Sequence, residues 1–296
     1  MSKTIGQKFY ETFLNKKLLC EPLLSEILAW LPHTLKVSVT KFAERDSLSK
    51  QFFKNGYFLT INQTTKPIII GKGVCFDSGG YNIKNGSNGI HNMWYDKTGA
   101  LLAIAAALDL KAPCQVFLTD NLLDFLPGQV IIEPITKHKV YIKDTDAEGR
   151  IGLADCLAQS LLNHKKALTI ATLTGAVSVA MGKQTFALVH SNKPAYLAKV
   201  VKAKYEKKLK LWPMPSDDVY DQSMKSKIRG ADLDNLNDSL GGGGSQKAFA
   251  FLKNFFRGDL IHVDIASMVY DSNGNGVEWG LNEMKFLYTL LSRSNG

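Results

Sequence analysis

Short runs rich in Ile, Val and Leu recur along the chain, and between them lie longer stretches in which apolar residues return every three to four positions. The first kind predicts strands at Pro67–Ile70, Gln115–Leu118, Lys139–Ile142, Ala167–Leu173, Phe186–His190 and Leu260–Ile265. The second predicts helices at Thr98–Leu110, Ile151–Asn163, Ala195–Leu209, Ser245–Phe256 and Leu281–Ser292. Strands alternating with helices predict an α/β domain with a mixed, largely parallel sheet and helices on both faces. Ligands of such sheets bind beyond the carboxyl ends of the strands, so the chemistry is expected at strand-to-helix junctions. Residues 1–66 differ, with a helical pattern at Glu21–Leu31 and extended runs at Leu35–Thr40 and Tyr57–Ile61; they form a short lead-in to a single main domain over residues 67–296. The run Gly241–Gly244 permits an unusual backbone path or a close approach, and equally a slack loop.

Composition narrows the class. With 45% hydrophobic and 21% charged residues among 296, the chain is neither disordered nor fibrous. Its longest apolar stretch, Ala100–Leu110, falls short of the roughly 20 residues that span a bilayer, so no membrane association is expected. The opening MSKTIGQKFYETFLNKK lacks the apolar core of a secretory leader, which predicts a cytoplasmic address. Cys20, Cys75, Cys114 and Cys156 are far apart and predict reduced thiols. The net charge of +9 would suit a polyanion, but the lysines are mostly scattered and the dense group Lys199–Lys210 lies on a predicted helix, which argues against a nucleic-acid partner.

Three segments carry candidate chemistry. In KVYIKDTDAEGRIGLADCL, Asp146, Glu148 and Arg150 are spaced i, i+2, i+4, so an extended backbone would put all three on one side. Grouped carboxylates repel and lose hydration unless a cation lies between them, which a divalent metal supplies; an exposed turn before a helix N-terminus is the alternative. In KPIIIGKGVCFDSGGYNIK, Lys72, Asp77 and Lys84 follow a strand within a glycine-rich stretch. Neither this segment nor MGKQT, with Val177 and Gln184 at key positions, has the frame of a phosphate loop. Asp96 precedes an Ala/Leu-rich helix, where simple capping would account for it. Four acids and three cations nevertheless fall at the junctions of one predicted sheet, a coincidence that points to a common site. His91 reads as a loop residue and His262 as a satisfied core residue rather than a base.

GKGVCFDSGGYNIK, MWYDKTGA, DTDAEGRIGLADCL and ATLTGA, in that order, resemble the motif set of the leucine aminopeptidase (cytosol aminopeptidase) family. The resemblance runs from about Lys66 to the C-terminus and includes the weaker LPGQV, LWPMP, GADLDN and HVDIA. It implies that the main domain is a dimetal aminopeptidase domain. Asp77 and Glu148 would bridge two divalent ions (Mn, Zn, Mg or Co), Asp146 would complete one site, and Lys72 with Asp96 the other. A water or hydroxide bridging the ions would attack the N-terminal peptide bond of short peptides. Lys72 could ligate only as a neutral amine, far from its ordinary pKa of about 10.4. Lys84 would stabilise the intermediate, and Arg150 would hold a bicarbonate ion that assists proton transfer. Met93, Thr172, Leu173, Gly175 and Ala266 would line the pocket for a Leu-like first residue. The family also implies a homo-oligomer, a hexamer.

The sequence departs from the family pattern in places. The usual amino-terminal domain is expected to be missing. The Asp77-to-Asp96 spacing is one residue longer, Asp144 stands for an Asn, and Leu126 and Gln129 replace the Arg and Asp that flank Pro127-Gly128. None of these is an expected ligand. The competing functions are a two-metal phosphoesterase, which would ordinarily use histidines that these motifs lack, and a non-catalytic scaffold or DNA-binding relative.

Overall fold

The computed structural model describes residues 2–86, 89–123, 125–191, 194–237, 240–269 and 280–293. In chain order its elements are α1 (Ile5–Leu14), α2 (Cys20–Trp30), β1 (Val37–Lys41), α3 (Leu48–Phe52), β2 (Tyr57–Ile61), β3 (Ile68–Val74), α4 (Thr98–Leu110), β4 (Cys114–Thr119), β5 (Val130–Ile132), β6 (Lys139–Tyr141) and α5 (Gly149–Ser160). They continue with β7 (Lys166–Ala171), α6 (Ala176–Met181), β8 (Phe186–His190), α7 (Pro194–Glu206), β9 (Leu211–Pro213), α8 (Asp218–Met224), β10 (Leu233–Asp234), α9 (Gly244–Leu252), β11 (Asp259–Asp264) and α10 (Leu281–Ser292).

Eight strands form the main sheet in the order β1-β2-β4-β3-β7-β11-β8-β9. The central β4, β3, β7 and β11 run parallel, while β2 and β8 pair antiparallel to β4 and β11. Alternation along each strand divides the apolar residues between two cores. Ile69 faces one, with α1, α2, α4 and α10; Ile68 and Ile70 face the other, with α3, α5 and α9. The mixed, largely parallel sheet with helices on both faces is therefore as expected. Within residues 1–66, β1 and β2 complete one edge of this sheet, and α1 and α2 join the first core. The four cysteines are buried and free. Among the described residues no helix is long and apolar enough to cross a membrane.

Two local expectations change. The run Lys139–Ile142 becomes β6, which lies in a separate three-stranded sheet of order β10-β6-β5. Only Val140 of its three residues is buried, and its backbone pairs with Val130–Ile132 and Leu233–Asp234 rather than with a strand of the main sheet. Helix α1 has no counterpart among the sequence-based elements, yet its start is encoded locally. Thr4 Oγ1 accepts from Gln7 N at 3.1 Å and Gln7 Oε1 accepts from Thr4 N at 2.9 Å, a capping box that satisfies two free N–H groups.

Candidate metal centre

The carboxyl ends of β3, β7 and β11 open onto one cleft of about 490 Å³. Lys72, Asp77, Lys84, Met93, Asp96, Asp146, Arg150, Thr172, Leu173, Gly175 and Ala266 all line it, and Glu148 is buried at 1% exposure beside Lys72. The structure thus gathers every residue that the sequence singled out for chemistry.

Lys72 projects from β3 into a closed setting. Its Nζ donates to the Thr172 carbonyl at 2.8 Å and to Asp96 Oδ2 at 3.0 Å, and lies 2.9 Å from Glu148 Oε1. Position 149 must be glycine for this: a Cβ there would stand 2.7 Å from Lys72 Cδ and Cε. Asp96 lies in the 3-10 stretch Ile90–Lys97 and pairs with Lys72; the residue at the cap of α4 is Lys97, so capping does not account for Asp96.

Asp77 follows β3 in a loop that the backbone folds tightly. Gly79 takes φ +86°, and a Cβ there would meet the Asn82 carbonyl at 2.3 Å. Asp77 Oδ1 accepts from Gly79 N at 2.9 Å and from Asn121 Nδ2 at 2.8 Å, while Oδ2 lies 3.1 Å from Lys84 Nζ. Lys84 also pairs with Asp146. Thr145 binds this loop to the acidic segment, donating to the Gly79 carbonyl at 2.8 Å and accepting from Asn82 N at 3.1 Å.

The acidic segment is not extended. Glu148 has helical angles, φ −72° and ψ −38°, at the cap of α5, and Arg150 stands in that helix's first turn. Convergence comes from the turn, not from strand alternation. Asp144 Oδ1 holds Asp146 N at 2.8 Å. Buried Asn235 clamps the turn from the β10 side, accepting from Lys143 N at 2.9 Å and donating to the Asp144 carbonyl at 2.6 Å.

Asp77, Asp146 and Glu148 each bring an oxygen within 4.8 Å of the others. Crowding and burial set their acidity. Burial first, then the charge of Asp77, push Glu148 up to about 8 and Asp146 up to about 6; burial also raises Asp96. Burial alone would lower both lysines, but Asp96 and Glu148 outweigh it at Lys72, and Asp77 and Asp146 at Lys84, so both ammonium groups are raised. Glu148 Oε2 is buried with no hydrogen-bond partner among the described residues. An oxygen-rich set with an unsatisfied carboxylate oxygen fits divalent cations, and Lys72 would join it as a ligand only where a cation takes the place of the proton that its carboxylate neighbours hold on it. Glu148 belongs both to the trio and to the Lys72–Asp96 group, so the two groups adjoin through it.

The histidines stand apart. His91 is exposed. His262 is fully buried, its Nδ1 2.9 Å from Thr169 Oγ1, and burial lowers it to about 4. Only that nitrogen is satisfied, for Nε2 has no partner among the described residues. Sequence reasoning missed Asn121, Thr145 and Asn235, which hold the acids rather than join them. The left-handed φ of +53° at Asn121, directly beyond β4, belongs to a junction of the kind already expected to carry chemistry.

Fold and site define a mixed α/β domain with a cluster of carboxylates and lysines, suited to divalent cations, at its strand ends. A family profile described as the cytosol aminopeptidase family, catalytic domain, matches residues 38–284, and the chain belongs to that family. The cytosol aminopeptidase of Rickettsia prowazekii is 35% identical over 223 residues, covering 71% of this chain and 44% of that protein. The chain therefore spans a little under half the length of such relatives. The bottromycin maturation enzyme BotP in complex with Mn shares the fold at a TM-score of 0.84, with 23% identity over 97% of this chain and 70% of that one. The leucyl aminopeptidase of Leishmania major in complex with actinonin gives a TM-score of 0.83 and 21% identity, over 96% of this chain and 60% of that one.

Proposed function

We propose that the protein is a metal-dependent aminopeptidase that releases N-terminal, Leu-like residues from short peptides, with residues 67–296 as the catalytic unit and residues 1–66 as a lead-in. The observation that carries this reading is the meeting of the Asp77–Asp146–Glu148 trio with the Lys72–Asp96 pair in one cleft. Asp77 and Glu148 would lie between two divalent ions (Mn, Zn, Mg or Co), with Asp146 completing one position and Lys72 with Asp96 the other. Such ions lower the pKa of water to about 7 and polarise the scissile carbonyl.

The chain's own groups divide the remaining work. Lys84, beside Asp77 and Asp146, supplies fixed positive charge where negative charge develops on the substrate oxygen. Arg150 lines the same cleft and would hold a bicarbonate ion, which would supply a base to assist proton transfer to the leaving amine. Met93, Leu173, Gly175 and Ala266, with Thr172, form the wall for the first side chain. Relatives named for the cytosol and family resemblance support a cytoplasmic homo-oligomer, a hexamer.

The test is hydrolysis of leucine amide before and after exhaustive chelation and after metal is restored. Activity should vanish and return, and Glu148→Ala should lose both activity and bound metal. Full activity in metal-stripped protein sinks the reading.

A further inference from the structure

Asp264, the last residue of β11, is a completely buried acid outside the expected ligand set. Among the described residues it forms no ion pair; N–H and O–H donors alone hold it. Oδ1 accepts from the backbone N–H groups of Leu173, Thr174 and Ala266 at 3.1, 3.4 and 3.3 Å. Oδ2 accepts from the hydroxyls of Thr174 and Ser245 at 2.6 and 2.9 Å. These donors come from three segments: the turn after β7, the turn after β11 and the first turn of α9. Each segment lines the cleft, through Leu173 and Gly175, Ala266, and Gly244. Gly244, the first residue of α9, marks a close approach, since a Cβ there would stand 2.8 Å from Ala176 Cβ, whereas a Cβ at Gly241 or Gly242 would meet nothing within 4 Å.

We propose that Asp264 is the positioning residue of the first-side-chain pocket: it ties the three wall segments into one register and so sets the discrimination between large and small N-terminal residues. This rests on the aminopeptidase reading. The physical reason is the donor count. Five donors converge on one buried spot, and a carboxylate has the acceptor sites for all of them, whereas an apolar residue would leave each wall segment with an unsatisfied donor and no tie to its neighbours. Asparagine is the conservative replacement, because its oxygen can take the three amides while its NH2 faces two hydroxyls that can turn to accept.

The experiment compares kcat and KM for leucine and alanine p-nitroanilides in the metal-loaded full chain, wild type against Asp264→Ala, Asp264→Asn and the double variant Thr174→Val with Ser245→Ala. Unfolding midpoints are measured alongside. Asp264→Ala should cut the leucine-to-alanine ratio of kcat/KM by about tenfold, mainly through KM for the leucine substrate. Asp264→Asn should recover most of the ratio, and the double variant should fall between. A folded Asp264→Ala with a lower midpoint and the wild-type ratio overturns the proposal, leaving Asp264 a purely structural acid. Should Asp264→Ala fail to fold, an unchanged ratio in the double variant overturns it equally. Wild type that cleaves neither substrate removes the aminopeptidase reading itself, whereas wild-type cleavage with an unmoved ratio leaves that reading standing and removes only the role of Asp264.

Discussion

Asn121→Gly tests the metal centre at a residue that holds an expected ligand without being one. The amide Nδ2 donates to Asp77 Oδ1 at 2.8 Å, and the residue is 1% exposed. A hydrogen bond to a buried carboxylate contributes about 1.5–3 kcal/mol. Asp77 keeps the Gly79 N–H and Lys84, so the lower part of that range applies, and about 1.5–2 kcal/mol corresponds to a loss of about 10- to 30-fold in cation affinity. Glycine is the cleaner probe because position 121 has φ +53°. Alanine pays about 1–2 kcal/mol to hold a left-handed backbone, so Asn121→Ala should be less stable than Asn121→Gly while binding metal no better. The assay is titration of metal-stripped protein with Mn²⁺ against a chromophoric chelator at fixed pH, with urea unfolding of each variant in parallel. A glycine variant with the wild-type dissociation constant would refute the positioning role. Equal stability of the two variants would refute the argument from backbone conformation.

Two further outcomes follow from packing and burial. Gly149→Ala puts a methyl group against a lysine pinned by three partners, and overpacking of this kind costs about 1–3 kcal/mol; urea unfolding and Mn²⁺ titration should both show a loss, and a variant that matches wild type in both is incompatible with a closed seat for Lys72. Asp155 on α5 accepts from the N–H groups of Leu48 and Ser49 at the start of α3, and burial, the dominant cause, raises it from 3.8 to about 6 against the opposing effect of those donors and Arg45. A raised folded-state pKa gives a stability contribution that is fully present below pH 3.8 and lost as pH rises through about 6. The stability of wild type relative to Asp155→Asn should therefore fall by about 1.4 kcal/mol between pH 5 and pH 7.5. A flat difference, or one that rises with pH, would contradict this assignment.

How much of this was legible in the sequence depends on what kind of signal each part carries. The central strands were, because burial on both faces makes for short Ile/Val-rich runs, as in Ile68–Ile70 at the start of β3, though the Gly71-Lys72-Gly73 half of that strand lay beyond the predicted run Pro67–Ile70. Helix α4 was legible to the residue, Thr98–Leu110, since its Ala/Leu content leaves no competing pattern. Strand β6 was assigned to the wrong sheet because three residues with one buried side chain say that a strand exists but not which strand it pairs with. The first helix went unread because its apolar residues Phe9, Tyr10, Phe13 and Leu14 lie between lysines and acids, and the Thr4–Gln7 box is the stronger local signal.

At the site the acids could be seen and their supports could not, and the difference is physical. A carboxylate in a polar loop after an apolar strand raises the question of what neutralises it, so Asp77, Asp96, Asp146 and Glu148 drew notice even though the extended geometry first expected for two of them was wrong. Asn121, Thr145 and Asn235 are neutral, and isolated polar residues in loops are ordinary. Their significance lies in contacts made 44, 66 and 92 residues away in the chain, with Asp77, Gly79 and Lys143. No period or spacing encodes such a contact; it exists only once β3, β4 and the acidic turn have been brought together. Those supports still decide the chemistry, because mutually repelling carboxylates keep their positions only while fixed donors hold each one. The same reasoning separates Asp264 from the other acids. Nothing inside the HVDIA segment marks it, and folding rings its carboxyl group with five donors at the junction of three segments that line the cleft.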